Sequence, residues 1–155
     1  MTEAHVTLEA LDVSNWLKIC DLSVSRKQKK FFPVPNVYWI GISRYEEKTE
    51  LFAVKASGEY IGLIGGGCDR DGVTGYINPL MIDRRHQGKG YARQAMLLMI
   101  TYLRERLHVT KINIGHRKAN QAAGRLYESL GFRIIGEDEK AYRRQLDLTE
   151  ERSGL

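Results

Sequence analysis

The sequence RRHQGKGYARQAM, residues 84–96, lies where one apolar pattern ends and another begins. Residues 73–82, which precede it, have the composition of a strand. From residue 89 to residue 107, apolar side chains recur at helical spacing, which predicts a helix with one buried face. Gly88 and Gly90 stand at the start of this helix, where glycine weakens helical structure. The stretch therefore predicts a strand, a glycine turn and a long helix in succession.

The glycine turn has the chemistry of an anion site. Glycine adopts positive φ and lets another group approach the backbone closely. The first amides of a helix have no intrahelical partner and favour an anion, and Arg85 and Lys89 add positive charge. This suits a pyrophosphate. A turn whose glycines serve geometry alone stays open as the alternative, because the spacing matches neither the P-loop nor the dinucleotide fingerprint.

Strands and helices alternate along the rest of the chain. Alternating apolar residues predict strands at residues 5–11, 51–55, 60–66, 109–114, 132–135 and 141–148. Helical spacing predicts helices at residues 15–22, 37–48 and 120–130. We expect Asp12 or Ser14 to cap the first of these helices, Asn36 to cap the second and Gly131 to end the third. The pattern predicts a mixed sheet with helices on its faces.

Composition favours one globular domain spanning residues 1–155. The chain is 43% hydrophobic and 28% charged, which is ordinary for such a domain. No apolar run approaches the roughly 20 residues of a membrane span, and residues 1–12 lack the apolar region of a secretory signal. Cys20 and Cys68 lack metal-site spacing. We therefore expect a reducing cytoplasm, no metal and no membrane partner.

The net charge of +5 is spread over three places. These are Arg26 with Lys27, Lys29 and Lys30; Arg84 with Arg85 and Lys89; and Arg143 with Arg144. Such a spread is typical of a solvated surface. A non-catalytic basic module that binds RNA or DNA is an alternative of a different class. We do not expect a nucleic acid partner, because the basic run has no interleaved aromatic residues on a strand.

Two motifs carry a resemblance to a known family. Residues 85–90, RHQGKG, match the pattern [RQ]xxGx[GA], with residues 80–83 and 91–92 fitting as flanks. Residues 120–132 match NxxAxxLYxxxGF at each specified position. In this order, separated by a helix and a strand, they resemble the GNAT superfamily of acetyl-CoA-dependent N-acetyltransferases. The resemblance extends most securely over residues 50–148.

The resemblance implies a fold of the mixed α/β type. It implies a central mixed, mostly antiparallel sheet of about seven strands, flanked by about four helices. The sheet is expected to splay between strands 4 and 5, the first ending near Ile82 and the second near Ile114. Pro79 cannot donate to a strand ladder and is compatible with a bulge there.

The resemblance also implies the site. The expected co-substrate is acetyl-CoA, held by Met81, Ile82, Arg85, Gln87, Gly88, Lys89, Gly90, Tyr91, Ala92, Asn120 and Tyr127. Amides of residues 87–92 would hold the pyrophosphate, while main chain around Met81 and Ile82 would pair with pantetheine and polarise the thioester. Tyr127 would be the catalytic acid that protonates the departing thiolate. Packing on the core is the alternative for Tyr127, and helix capping is the alternative for Asn120.

No general base is evident. Residues 75–79, GYINP, carry no acid where many relatives have one, and the next acid is Asp83. The amine proton is therefore expected to leave through water or through a residue from elsewhere. His116 is a candidate because histidine titrates near neutrality, although a lone histidine is more typical of a surface.

The acceptor is a small-molecule primary amine in the leading hypothesis. Gln28, Phe31 or Phe32, and Asn36 resemble the lead segment of bacterial spermine/spermidine-type acetyltransferases, so a polyamine such as spermidine or spermine is the candidate acceptor. Candidate carboxylates for it are Asp21, Glu46, Glu47, Asp69 and Asp71, all of which also suit a solvated surface. Candidate aromatic pocket residues are Phe31, Phe32, Tyr38, Trp39 and Tyr45, which also suit a core.

A protein or peptide N-acetyltransferase is the alternative within the same fold. A homodimer through the C-terminal strands, where Arg143, Arg144 and Leu146 lie, is also left open.

Overall fold

A computed structural model of the chain describes residues 4–46 and 48–149. Within these residues it has seven strands and four α-helices. The strands are β1 Val6–Ala10, β2 Glu50–Ala56, β3 Glu59–Cys68, β4 Thr74–Ile82, β5 Lys111–Arg117, β6 Arg133–Glu137 and β7 Ala141–Asp147. The α-helices are α1 Trp16–Cys20, α2 Asn36–Tyr45, α3 Tyr91–Arg106 and α4 Gln121–Ser129. Short 3₁₀ turns lie at Arg26–Gln28 and Arg84–His86.

The strands form one mixed sheet in the order β1-β2-β3-β4-β5-β7-β6. Every neighbouring pair is antiparallel except β4 and β5, which run parallel. Ser57 and Gly58, both at positive φ, make the tight turn between β2 and β3. The expected architecture is confirmed.

The sheet is covered differently on its two faces. On one face, α3 and α4 pack over residues such as Val54, Ile64 and Ile112. On the other, α1 and α2 pack over Leu63 and Met81. Because side chains alternate along a strand, β2, β3 and β4 contribute to both cores.

The parallel pair β4/β5 is short, and the sheet splays beyond it. Only Thr74–Lys111, Gly75–Ile112 and Tyr76–Asn113 are paired. Further along β4, a bulge sets Asn78 and Pro79 opposite Gly65 of β3, since Ile64 pairs with Leu80 and Gly66 with Ile77. The splay expected near Ile82 and the bulge expected at Pro79 are thus both present.

The expected cap of α1 is wrong. Asn15 precedes the helix, and neither Asp12 nor Ser14 caps it. The Asp12 carboxylate instead accepts hydrogen bonds from the amide and hydroxyl of Ser14. Asn15 is buried, and its polar side chain is satisfied there because it accepts from the Asp12 amide and donates to the Ala10 carbonyl. The loop before α1 therefore uses these polar groups to close on itself.

The expected cap of α2 is also wrong, whereas the end of α4 is as expected. Asn36 is the first residue of α2, and its Nδ2 donates to the carbonyls of Ile19 and Leu22 at 2.8 and 3.3 Å. Ile19 lies in the last turn of α1 and Leu22 just after the helix, so the buried Asn36 amide adds a donor where the helix ends. After α4, Gly131 adopts positive φ, and the Phe132 amide returns to the Tyr127 carbonyl as in a Schellman motif.

None of the helices in the described ranges has both the length and the apolar composition needed to cross a bilayer.

Replacing Asn36 tests the tie between α1 and α2. The Asn36→Ala variant should lower the free energy of unfolding by about 1–3 kcal/mol, because the carbonyls of Ile19 and Leu22 lose the Asn36 donor and, in the described ranges, Ile19 keeps only the Leu22 amide. Urea denaturation measures this change. Val37→Ala is the matched control on the exposed side of α2 and should change stability by about 0.5 kcal/mol or less. Equal effects for the two variants would contradict the assigned role of Asn36.

Candidate active site

The turn between β4 and α3 has the backbone that its glycines predict. Gly88 and Gly90 have φ of 77° and 79°, in the left-handed region that favours glycine. A Cβ added at either position would meet no atom within 4 Å. The glycines are therefore required by backbone conformation, and the space beside them is open to another molecule.

The amides of this turn are unpaired within the part of the chain that the structure describes. Among the described residues, the backbone N–H groups of residues 87–90 donate to no protein acceptor. Gly90 provides no side-chain cap for α3, so the first amides of that helix also lack one. The turn thus presents a row of free donors together with the positive end of the α3 dipole.

Asp83 anchors the turn from behind. Its buried carboxylate accepts from the amide of Ser23 at 2.9 Å and from the amide and Nε of Arg85 at 3.2 and 2.8 Å. Burial by itself raises the pKa of Asp83, but the hydrogen bonds from Arg85 and Ser23 outweigh it and leave the pKa below its usual value. Asp83 is therefore ionised at neutral pH and holds the side chain of Arg85 beside β4.

Gln87 clamps the turn from the other side. Its Nε2 donates to the Ile82 carbonyl at 2.7 Å and to Gln28 Oε1 at 2.8 Å. Gln28 Oε1 also accepts from the amide and hydroxyl of Ser25. The segment around Gln28, noted in the sequence only as a resemblance, is thus fastened to the glycine turn.

A cleft of about 460 Å³ runs from this turn to α4. Among the expected site residues, those that line it are Met81, Ile82, Gln87, Gly88, Gly90, Tyr91, Ala92, Asn120 and Tyr127. Arg85 and Lys89 do not line it. Arg93, which the sequence reasoning missed, does line it, and its Nη1 donates to Ser129 Oγ at 2.7 Å, joining α3 to α4.

The free edge of β4 belongs to different residues from those expected. The Asp83 amide donates to the Ile61 carbonyl of β3. Backbone groups of alternate residues point to the same side, so those of Met81 also face β3. Those of Leu80 and Ile82 then face the splay. The backbone of Met81 is therefore taken up by β3, and strand alternation indicates that the groups available for pairing around Met81 and Ile82 are those of Leu80 and Ile82.

Asn120 and Tyr127 are both placed by α4. The Asn120 side chain caps the helix by accepting from the Ala123 amide at 3.3 Å, and Asn120 also lines the cleft. Tyr127 is only 7% exposed, and within the described chain its hydroxyl makes no hydrogen bond while keeping access to the cleft. Burial raises the pKa of Tyr127 to about 12. The cleft therefore contains a protonated phenol with its hydroxyl unengaged.

His116 is engaged at both ring nitrogens. Its Nε2 accepts from Arg144 Nε at 3.0 Å, and its Nδ1 lies 2.9 Å from the Arg117 carbonyl, to which it donates. The ring is then the neutral Nδ1–H tautomer, since Nε2 faces a cationic donor. This arrangement leaves no nitrogen free to take a proton from an amine, which favours the packing interpretation of His116.

The candidate carboxylates lie in different places. Asp21 lines a second cavity of about 230 Å³, which shares Val24, Phe32 and Met81 with the cleft. Asp69 and Asp71 lie in the turn between β3 and β4, at the opposite end of β4 from the glycine turn. Hydrogen bonds from Thr74 and the Val73 amide lower the pKa of Asp71 to about 2, so this carboxylate shapes its own turn.

Of the other two candidate acids, only Glu46 is among the described residues, and it does not line the cleft. Glu46 is exposed at the end of α2, and Glu47 lies outside the described residues.

The aromatic candidates also divide. Phe31 and Phe32 line the cleft. Trp39 packs behind Phe32 with ring centroids 6.3 Å apart. Tyr38 and Tyr45 are exposed on α2. The cleft therefore has an apolar wall of two phenylalanines, and the other three rings lie outside its lining.

In the part of the chain that the structure describes, no three His, Cys, Asp or Glu side chains gather where they could hold a metal ion.

Comparison with known proteins relates this geometry to one family. A model of the acetyltransferase (GNAT) family matches residues 11–132. The SPbeta prophage-derived uncharacterized N-acetyltransferase YokL of Bacillus subtilis is 28% identical over 101 residues, which cover 64% of this chain and 56% of YokL. The spermine/spermidine N(1)-acetyltransferase of Bacillus subtilis is 27% identical over 143 residues, which cover 85% of this chain and 90% of that enzyme.

A solved structure shows the same fold. The spermidine N-acetyltransferase from Vibrio cholerae, in complex with CoA and spermine, matches with a TM-score of 0.77. The match covers 92% of this chain and 95% of that chain at 22% sequence identity.

A pair of glycine variants separates ligand binding from backbone strain. Gly88 and Gly72 both have φ of 77° and open space around an added Cβ, but only Gly88 lies in the cleft. Gly88→Ala and Gly72→Ala should each lower the free energy of unfolding by about 1 kcal/mol. Only Gly88→Ala should weaken binding of acetyl-CoA, by about tenfold in calorimetry, because it displaces the free amides. Equal affinities in the two variants would exclude the turn as the phosphate site.

Proposed function

Because this chain belongs to the acetyltransferase (GNAT) family and is an N-acetyltransferase, we propose that it transfers an acetyl group from acetyl-CoA to a primary amine of a small molecule. One observation carries the proposal: Gln87, Gly88 and Gly90, whose amides are unpaired among the described residues, line the same cleft as the unengaged hydroxyl of Tyr127. The first group suits a phosphate, and the second suits a leaving group that needs a proton.

The residues present fit acetyl-CoA. Free amides at residues 87–92 would bind the pyrophosphate, with the charges of Arg85 and Lys89 nearby in sequence. Leu80 and Ile82 would pair with the pantetheine amides along the open edge of β4. The Ile82 carbonyl already accepts from the Gln87 side chain, so the N–H of Ile82 is the backbone group of that residue left for a ligand. Asn120 lines the same cleft and holds α4 in place.

Acetyl-CoA would supply a thioester, whose carbonyl reacts with a neutral amine. A backbone N–H on the open edge of β4 would stabilise the charge that develops on the carbonyl oxygen. No Asp or Glu is present among the described residues that line the cleft. The amine would therefore arrive neutral or lose its proton to water, rather than to a fixed carboxylate.

Tyr127 would assist departure of the thiolate. With a pKa of about 12, its hydroxyl stays protonated at neutral pH. A free thiol has a pKa of about 8.5, so complete transfer of the phenolic proton to a thiolate is uphill. The hydroxyl would act first as a hydrogen-bond donor to the developing charge. The proton released by the acetylated amine then balances the charge of the thiolate.

A polyamine such as spermidine or spermine is the acceptor that we propose. Support comes from the Bacillus subtilis relative named for spermine and spermidine. Phe31 and Phe32 would pack against the alkyl chain, and Asp21 would pair with a second ammonium group in the adjoining cavity. Lys29 also lines that cavity, so the negative charge of Asp21 is balanced by a positive one. The cavity therefore suits a short polyamine better than a long one.

Three further statements stay predictions from the sequence. We propose that the whole chain works as one acetyltransferase domain, in the cytoplasm. We also leave a homodimer open, since β6 is an edge strand with Ile134 and Ile135 exposed.

Removing the Tyr127 hydroxyl tests the assigned acid. Tyr127→Phe should lower kcat by about 10²–10³, while the affinity for acetyl-CoA stays within about twofold. Thiol release measures turnover, and calorimetry measures binding. Tyr102→Phe is the control, because its hydroxyl donates to Glu50 away from the cleft. Unchanged kcat in Tyr127→Phe would remove Tyr127 from the mechanism.

The pH profile provides a second readout of Tyr127. Because its pKa is raised to about 12, loss of the phenolic proton should cause no fall in the wild-type rate up to about pH 10. The rate should instead rise with pH as the acceptor amine deprotonates. A descending limb centred near pH 8, absent from Tyr127→Phe, would contradict this assignment.

Asp21 tests the polyamine proposal. Asp21→Asn should lower kcat/KM for spermidine by about tenfold, because the second ammonium loses its partner. The value for butylamine, which has one amine, should stay within about twofold. Glu46→Gln is a control at an exposed acid outside both cavities. Equal losses for both amines would exclude the cavity beside Asp21 as the polyamine site.

A further inference from the structure

Arg144 of β7 is a buried cation with neutral partners. It is 8% exposed, and no carboxylate among the described residues lies within ion-pair distance of its guanidinium. Its Nε donates to His116 Nε2 at 3.0 Å, and its Nη1 donates to the Phe132 carbonyl at 3.2 Å. Burying a charge without an opposite charge lowers the stability of the fold. We therefore expect the hydrogen bonds from Arg144 to His116 and Phe132 to have a function that offsets this cost.

Both partners of Arg144 pack against the ring of Tyr127. The His116 ring meets it edge to face, with centroids 5.7 Å apart and planes at 60°. The Phe132 ring lies 6.0 Å away at 55°. The Phe132 amide also donates to the Tyr127 carbonyl at 3.0 Å, at the end of α4. One guanidinium therefore joins the two residues whose rings flank Tyr127.

Gly124 lets this arrangement form. It lies on α4 one turn before Tyr127. A Cβ at this position would lie 3.1 Å from His116 Cε1 and 3.7 Å from Arg144 Nη2. A Cβ there would crowd the imidazole but meet the guanidinium only at an ordinary contact distance, so the absence of a side chain leaves room for the His116 ring beneath the helix.

We propose that Arg144 is a positioning residue for Tyr127, acting through His116 and Phe132. The Tyr127 hydroxyl has no hydrogen bond within the described chain, so the direction in which it points is set by packing of the ring alone. Arg144 fixes one neighbouring ring at Nε2 and holds the backbone of the other. This inference rests on the proposed role of Tyr127 as the group that assists the thiolate.

A double-mutant cycle on the full chain tests the coupling. Arg144→Met should lower kcat by about tenfold, because a small misplacement of a reacting group has a large effect on rate. Affinity for acetyl-CoA should stay within about twofold, since Arg144 does not line the cleft. In a Tyr127→Phe background, Arg144→Met should change kcat by less than about twofold, because no hydroxyl is left to position. Arg143→Met is the matched control, on the exposed neighbour in the same strand, and should leave kcat unchanged.

Each result has a separate meaning. If Tyr127→Phe alone leaves kcat unchanged, the role of Tyr127 fails, and the positioning proposal fails with it. If Tyr127→Phe slows turnover but Arg144→Met lowers kcat equally in both backgrounds, only the positioning proposal is overturned. Equal effects of Arg143→Met and Arg144→Met also overturn it. Should Arg144→Met not fold, Arg144→Lys takes its place in the cycle, because lysine keeps the charge but cannot donate from two separate nitrogens. A kcat loss of about threefold or more that vanishes in the Tyr127→Phe background supports the proposal. Loss that persists there overturns it.

Discussion

The early end of the parallel pairing between β4 and β5 is the constraint on which the rest of the structure depends. After Tyr76 and Asn113 the strands part, and the edge of β4 is left without a strand partner. Backbone groups away from water must be paired, so such an edge needs a side chain, water or a ligand. Gln87 satisfies the Ile82 carbonyl, and the remaining groups at Leu80 and Ile82 face the cleft. The splay thereby creates a place where an extended amide-containing molecule can complete the sheet.

The glycine turn adds a second set of unsatisfied groups at the end of the same strand. Its amides are held in place by Asp83 on one side and, on the other, by the pair of Gln28 and Gln87, which also line the cleft. The side chain of Arg85 is used in that scaffold and does not reach the cleft lining. We therefore propose that recognition of an anion here depends on backbone donors and the α3 dipole, together with Arg93, which does line the cleft.

The ionisable groups around Tyr127 have hydrogen bonds and packing that hold positions in the fold more than they suit proton transfer. Buried Arg144 and half-buried His116 form a hydrogen-bonded pair beneath α4, and neither lines the cleft. Tyr127, which does line it, has a pKa raised by burial to about 12, and the His116 ring packed against it has both nitrogens engaged. On the function proposed above, such a site would orient a neutral amine and a thioester and would stabilise the charge that develops. The apolar wall of Phe31 and Phe32 is consistent with this division.

The sequence by itself determined the order of strands and helices, the glycine turn and the helix that presents Tyr127, because periodicity and positive-φ glycines are local properties. Tertiary structure decided the rest. Asn36 donates to a carbonyl at the end of α1 instead of capping α2, and Asp71 accepts hydrogen bonds in its own turn, away from the cleft. The backbone of Met81 faces β3, which leaves Leu80 and Ile82 on the open edge, and both nitrogens of His116 are engaged. These outcomes depend on strand register and on which distant side chains are buried together, and neither is encoded in the spacing of neighbouring residues.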